Sequence, residues 1–186
     1  AGRGEGFCIF NDAAIAARLM QAERRVKRVA IVDLDVHQGN GTASILRDDD
    51  SIFTLSLHAE NNYPFTKEVS DLDVGLPDGA GDDVYLPALR NALIELSRRF
   101  VPDLIIYLAG ADPHEGDRLG RLKLTFAGMA ARDRMVLDYA FEREIPVVIT
   151  MAGGYGKNIQ DTVAVHVQTI AIAAQYGRNG RTDSAV

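Results

Sequence analysis

The stretch Val29-Ala30-Ile31-Val32-Asp33-Leu34-Asp35-Val36-His37-Gln38-Gly39-Asn40 decides the fold. Its first four residues are aliphatic without interruption, the composition of a strand covered on both faces. Then Asp33, Asp35 and His37 alternate with Leu34 and Val36. Residues two apart in an extended segment point to the same side. The two carboxylates and the imidazole should therefore project together, with Leu34 and Val36 packed the other way. Three ionisable groups behind a buried strand are costly to bury unless a cation pairs them. Such a set suits zinc, iron or manganese.

Outward from this stretch the chain alternates helix and strand. Upstream, Asn11 can cap a helix running to about residue 25, with Ala14, Ile15, Leu19 and Met20 on one side. The strand itself is expected over 28–35. A short helix follows over 42–47, then a strand over 52–58. Residues 59–82 form a long connection with Pro64, Pro77, Gly79 and Gly81, and connections of that length in a compact domain are usually functional. A helix over 83–100 carries Pro87. A strand over 104–109, a helix over 124–143, a strand over 147–151 and a helix over 158–176 complete the pattern, and the tail after 177 should fray. Strands separated by helices imply βαβ units and a parallel sheet in a three-layer α/β/α arrangement.

Each strand ends in chemically useful residues. The first supplies Asp33, Asp35, His37 and Asn40; the second, Ser56 and His58; the third, Asp112; the fourth, Tyr155. In an open parallel sheet, ligands bind beyond the carboxyl ends of the strands. A lone Asp in such a place is usually a helix cap or a loop anchor. The joint pattern outweighs that reading, and with Asp112 several ligand sets remain open. Gly153 and Gly154 permit close backbone approach, although a plain strand-to-helix turn with a packed Tyr155 explains them equally well. His58 and His114 fit supporting roles, His166 a structural one, and Met129 and Met135 core filling.

Composition excludes some classes. The 186 residues are 47% hydrophobic, enough for a sizeable core, and carry a net charge of −6 with no Lys/Arg-rich run. A general nucleic-acid surface is therefore not expected, and basic peptides suit the charge better. Cys8 is the single cysteine, so no internal disulfide forms, in keeping with a reducing cytoplasm. No apolar run reaches the ~18 residues of a membrane span, and no secretory signal is evident. The chain opens at Ala1 in a Gly-rich stretch that reads as a cut or processed end.

In order along the chain, GFCIFNDAAIAA (6–17), DLDVHQGNG (33–41), SLH (56–58), NYPFTKEVSDLDVGLPDGAGDDVYL (62–86), GADPHEGDRLG (110–120) and GGYG (153–156) resemble the motifs of the histone deacetylase family in its bacterial branch. The resemblance covers the chain from Gly6 to about Ala173. It implies an arginase/deacetylase-like fold, read as one partial domain over 1–186 with the family's N-terminal strands missing. Asp35, His37 and Asp112 would hold Zn2+, with Fe2+ as the other candidate. Asp33 would orient the first histidine of a His-His pair that the family carries immediately before the position of Ala1. Asn40 stands where many members have Asp beside the second histidine. Tyr155 would hydrogen-bond the substrate carbonyl. Gly6 and Phe7 would line one wall of the acyl-lysine channel, Tyr63 the other, and Gly153 and Gly154 its border. Asp33, Asp35, His37, Ser56 and Leu57 would form a structural K+ site. The family sheet implies the strand order 28–35, 147–151, 104–109, 52–58, with an open edge at 28–35 as a route to homo-oligomers.

The implied reaction is metal-assisted hydrolysis of an acetylated lysine peptide or small acetylated amine, in the cytoplasm, without membrane or nucleic acid. Without the His-His pair the isolated chain should turn over at or near background. A binuclear manganese ureohydrolase-like enzyme and a non-catalytic metal-binding fragment that self-associates are the alternatives.

Overall fold

A computed structural model describes residues 4–179. The elements are α1 (Asp12–Ala22), β1 (Val29–Asp33), α2 (Asn40–Leu46), β2 (Ile52–Ala59), β3 (Leu72–Leu76), α3 (Asp82–Arg99), β4 (Leu104–Ala109), α4 (Phe126–Phe141), β5 (Val147–Met151) and α5 (Ile159–Asn179). All five strands are parallel, in the order β3-β2-β1-β4-β5. The opening residues 1–3, read as a cut or processed end, and the part of the fraying tail beyond 179 lie outside the described residues.

Three layers follow from the alternation of side chains along the strands. On one face, Ala30, Val32, Phe53, Leu55, Ile105 and Tyr107 pack with residues of α3, α4 and α5. On the other, Val29, Ile31, Ile52, Leu104 and Ile106 pack with Ala13, Ala14 and Ala17 of α1 and Leu46 of α2. The small residues of α1 let that helix approach closely. Ile15 and Leu19, expected on one side with Ala14, are each 54% exposed while Ala14 is buried. Asn11 caps the helix as expected, its side chain accepting from the Ala14 amide.

The sheet order departs from the one implied by resemblance. β1 lies at the centre, hydrogen-bonded to β2 on one side and β4 on the other, so the open edge expected at 28–35 does not exist. Its five residues are all buried, as a central strand requires, whereas β5 is half-exposed. The edges of the sheet are β3 and β5. β3 was hidden within the long 59–82 connection. Its sequence LDVGL alternates apolar with polar or small residues and is only partly buried, as befits an edge. Helix α3 runs through Pro87. Among the described residues, no helix is long and apolar enough to cross a membrane.

Candidate metal centre

The carboxyl ends of β1, β4 and β5 build the site. β1 stops at Asp33, earlier than expected, and the chain then turns by using its own carboxylates. The Asp35 amide donates to Asp33 Oδ1 at 3.1 Å, and the His37 amide donates to Asp35 Oδ1 at 2.9 Å. Side chains that accept from amides two residues on are the usual device for such turns. Leu34 and Val36 are fully buried, as the alternation predicts.

Asp112, reached through Gly110 and Ala111 after β4, joins this turn. Its Oδ1 accepts from the Val36 amide at 2.9 Å, and its Oδ2 lies 3.3 Å from His37 Nδ1. His37 Nδ1 is also 2.9 Å from Asp35 Oδ1. Asp35, His37 and Asp112 thus each present one ligand atom, all within 4.8 Å of one another. Asp33 is not among them. It is buried behind them, with its Oδ2 against Gly39, where a Cβ would come within 2.4 Å.

Electrostatics agree with a cation site. Burial and the Asp35 charge push the Asp112 carboxyl up to about 7. Burial and the same Asp35 charge raise Asp33 well above the usual carboxylate range. Burial also acts to raise Asp35, but hydrogen bonds with His37 outweigh it and hold that carboxyl low. Burial opposes charge on His37, yet its hydrogen bonds to Asp112 and Asp35 carry it up to about 10. One imidazole thus faces two carboxylates at close range, at 2.9 and 3.3 Å.

Gly153, at the end of β5, closes the third side. Its amide donates to Asp35 Oδ2 at 2.8 Å, and a Cβ there would lie 2.0 Å from Asp112 Oδ2. Gly154 is confined less tightly, by Thr162 and Ala111 at 2.7 and 3.0 Å from an added Cβ. Tyr155 follows, 43% exposed. Its amide donates to Asp117 Oδ2 at 2.6 Å, and its carbonyl accepts from Arg118 Nε at 3.1 Å.

Phe7, held at a positive φ of 65° next to Gly6 at 58°, sets its ring 5.8 Å from that of Tyr155. The Tyr63 hydroxyl donates to Glu5, whose other carboxylate oxygen accepts from Asn40 Nδ2 at 3.1 Å. The strand register sets Asp33 beside Ser56, whose Oγ accepts from the Gly39 amide at 3.3 Å and lies 3.0 Å from His58 Nδ1. Leu57 follows, fully buried.

Sequence reasoning missed four parts. Glu5 joins Tyr63 to Asn40, but its Gly-rich surroundings gave no signal. Asp117 lies in a quoted motif without a role; it accepts from the Leu119, Gly120 and Tyr155 amides. Gln38 clamps the turn to the β3 approach, bonding Glu68 and Asp73. Arg132 and Asp133 on α4 are wholly buried. Asp133 does interrupt an apolar stripe of Met129, Val136, Leu137 and Ala140, a signal that was legible.

Comparison with known proteins settles the lineage. The profile of the histone deacetylase domain matches residues 1–170. The chain belongs to the histone deacetylase family. An uncharacterised protein of Picosynechococcus sp. is 50% identical over 165 residues, covering 89% of this chain and 55% of that protein. Histone deacetylase 2 of Arabidopsis thaliana is 38% identical over 172 residues, covering 91% of this chain and 44% of its own length. The crystal structure of acetylpolyamine aminohydrolase from Burkholderia pseudomallei superposes with a TM-score of 0.74 at 28% identity, covering 90% of this chain and 50% of that one. This deacetylase-family chain therefore spans about half the length of the curated relatives it matches.

Proposed function

We propose that this chain supplies the metal-binding and carbonyl-polarising part of a hydrolase that cleaves acetyl amides. One observation carries the reading: the convergence of Asp35, His37 and Asp112 at the strand ends, with Gly153 pressed against two of them. These residues would hold Zn2+ or Fe2+; two carboxylates and one imidazole suit either and leave a position for substrate or water. What a bound divalent ion supplies is Lewis acidity toward the amide carbonyl and toward water.

The chain's own residues would do the rest. The Tyr155 hydroxyl donates to the substrate carbonyl oxygen as charge develops there. Phe7 beside Tyr155, and Tyr63 bonded to Glu5, would flank an acyl-lysine stem, with Gly6 open to that side and Gly153 and Gly154 bordering it where they press on Asp112 and Thr162. Asp33 and Asn40 would support the family's His pair. Asp33, Asp35, His37, Ser56 and Leu57 are the proposed K+ site, favoured by the pairing of Asp33 with Ser56. The substrate would be an acetylated lysine peptide or a small acetylated amine such as an acetylpolyamine.

Proton transfer is the remaining requirement. The sequence holds four histidines, at 37, 58, 114 and 166, no two of them adjacent. A positioned acid–base group contributes roughly 10²–10⁴-fold, so the 186-residue polypeptide by itself should hydrolyse at or near background. Elemental analysis of the purified chain and of Asp112→Ala tests the centre. One zinc or iron per chain, lost in the variant, is the expected result; a metal-free wild type would overturn the reading. Brisk cleavage of an acetyl-lysine peptide by this chain, abolished in Tyr155→Phe, would overturn its dependence on an outside His pair.

A further inference from the structure

Behind the metal centre lies a buried charge pair to which the proposed chemistry assigns no role. Arg132 of α4 is wholly buried, as is its neighbour Asp133. Arg132 Nη1 donates to the Gly110 carbonyl at 2.6 Å and reaches the Leu34 carbonyl at 3.4 Å. Its Nε and Nη2 both donate to Asp133 Oδ1, at 3.0 and 2.8 Å. Asp133 is itself fixed from two further elements: the Tyr107 hydroxyl of β4 donates to Oδ1 and the Thr169 hydroxyl of α5 to Oδ2, both at 2.6 Å.

The two carbonyls belong to the two loops that carry the ligands. Leu34 precedes Asp35, and Gly110 stands two residues before Asp112. These loops touch: a Cβ on Gly110 would lie 2.8 Å from Asp35 Cα and 2.8 Å from Asp112 Oδ1. Burying an ion pair rarely adds stability over an apolar pair of similar volume. A guanidinium, however, presents donors in a rigid planar fork that no apolar group reproduces.

We propose that Arg132, its fork locked on Asp133, is a positioning residue: the Nη1 held in place by that fork reaches both the Gly110 and the Leu34 carbonyls and so fixes the separation of Asp35 from Asp112. The proposal rests on metal binding by Asp35, His37 and Asp112. Groups that orient metal ligands from behind typically change affinity by about 10–100-fold when removed.

The test uses Co2+, whose visible absorption reports coordination geometry, with the full chain. Arg132→Met/Asp133→Asn removes both charges and keeps the bulk. Arg132→Lys keeps the charge but lacks the fork, a second variant if the first does not fold. Leu96→Ala, in the core under α3, is the control for lost stability alone. Expected is 1:1 binding by the wild type, a fall in Co2+ affinity of about tenfold or more with a shifted visible band in the Arg132 variants, and wild-type affinity and spectrum in Leu96→Ala. Wild-type affinity and spectrum in a folded Arg132 variant would overturn the proposal, as would an equal loss in Leu96→Ala. If the wild type itself binds no Co2+, the metal assignment fails, and the positioning role falls with it.

Discussion

The Gly153 amide donates a 2.8 Å hydrogen bond to Asp35 Oδ2 across 118 positions of sequence. This bond ties the end of the edge strand β5 to the turn that leaves the central strand β1. It also explains why a glycine stands there. Gly153→Ala would set a methyl group 2.0 Å from Asp112 Oδ2 and 2.7 Å from Asp35 Oδ2. Overpacking of this kind costs about 1–3 kcal/mol, and here the strain falls on two proposed ligands. Elemental analysis should find Gly153→Ala depleted of metal while urea denaturation shows it still folded.

Metal binding should release protons. His37 is pushed up, against burial, by its hydrogen bonds to Asp112 and Asp35, and Asp112 by burial and the Asp35 charge, so a cation bound by them would displace protons near neutral pH. Affinity should therefore rise with pH and weaken as pH falls from 8 to 6. Isothermal calorimetry in buffers of different ionisation enthalpy measures the protons released. A count of zero at pH 7 would contradict the upward shifts of His37 and Asp112.

Asp117 holds Tyr155 by its amide and the 117–120 turn by two more. In Asp117→Asn, one end of the side chain becomes a donor facing a donor. A buried group left unsatisfied costs about 1–3 kcal/mol. The variant should lose that much in urea unfolding, with faster amide exchange at Tyr155 than in the wild type.

Asn11 caps α1 through the Ala14 amide and also bonds Thr42 of α2. Asn11→Ala should lower the unfolding free energy by about 1 kcal/mol and leave metal content unchanged, because neither contact reaches the ligand cluster.

What the sequence disclosed, and what it withheld, follows from where the information lies. The aliphatic runs at 29–32, 104–109 and 147–151 announce strands because burial leaves little choice of residue. Asp35 and His37 were legible because charge directly after such a run is costly. β3 was not legible: an edge strand tolerates Asp73 and Gly75, so LDVGL reads as loop. Strand order is a property of the assembled sheet, and the order borrowed from resemblance put 28–35 at an edge where the structure has it central. Contacts across long separations, such as Glu5 with Tyr63 or Arg132 with Gly110, leave no periodic trace at either end.

The placement of β5 has a further consequence. Proteins open locally in cooperative units, the least protected first. Asp35, His37 and Asp112 follow β1 and β4, each laddered on both sides, whereas Gly153 and Tyr155 follow an edge strand held along one side only among the described residues. Peeling β5 and α5 away breaks one ladder; opening β1 breaks two. Under rising denaturant, Tyr155 should leave the site before Asp35, His37 and Asp112 separate. On the roles proposed for these residues, carbonyl polarisation would be lost before metal binding, so a partly opened molecule would still titrate as metal-bound after it had ceased to be competent for chemistry.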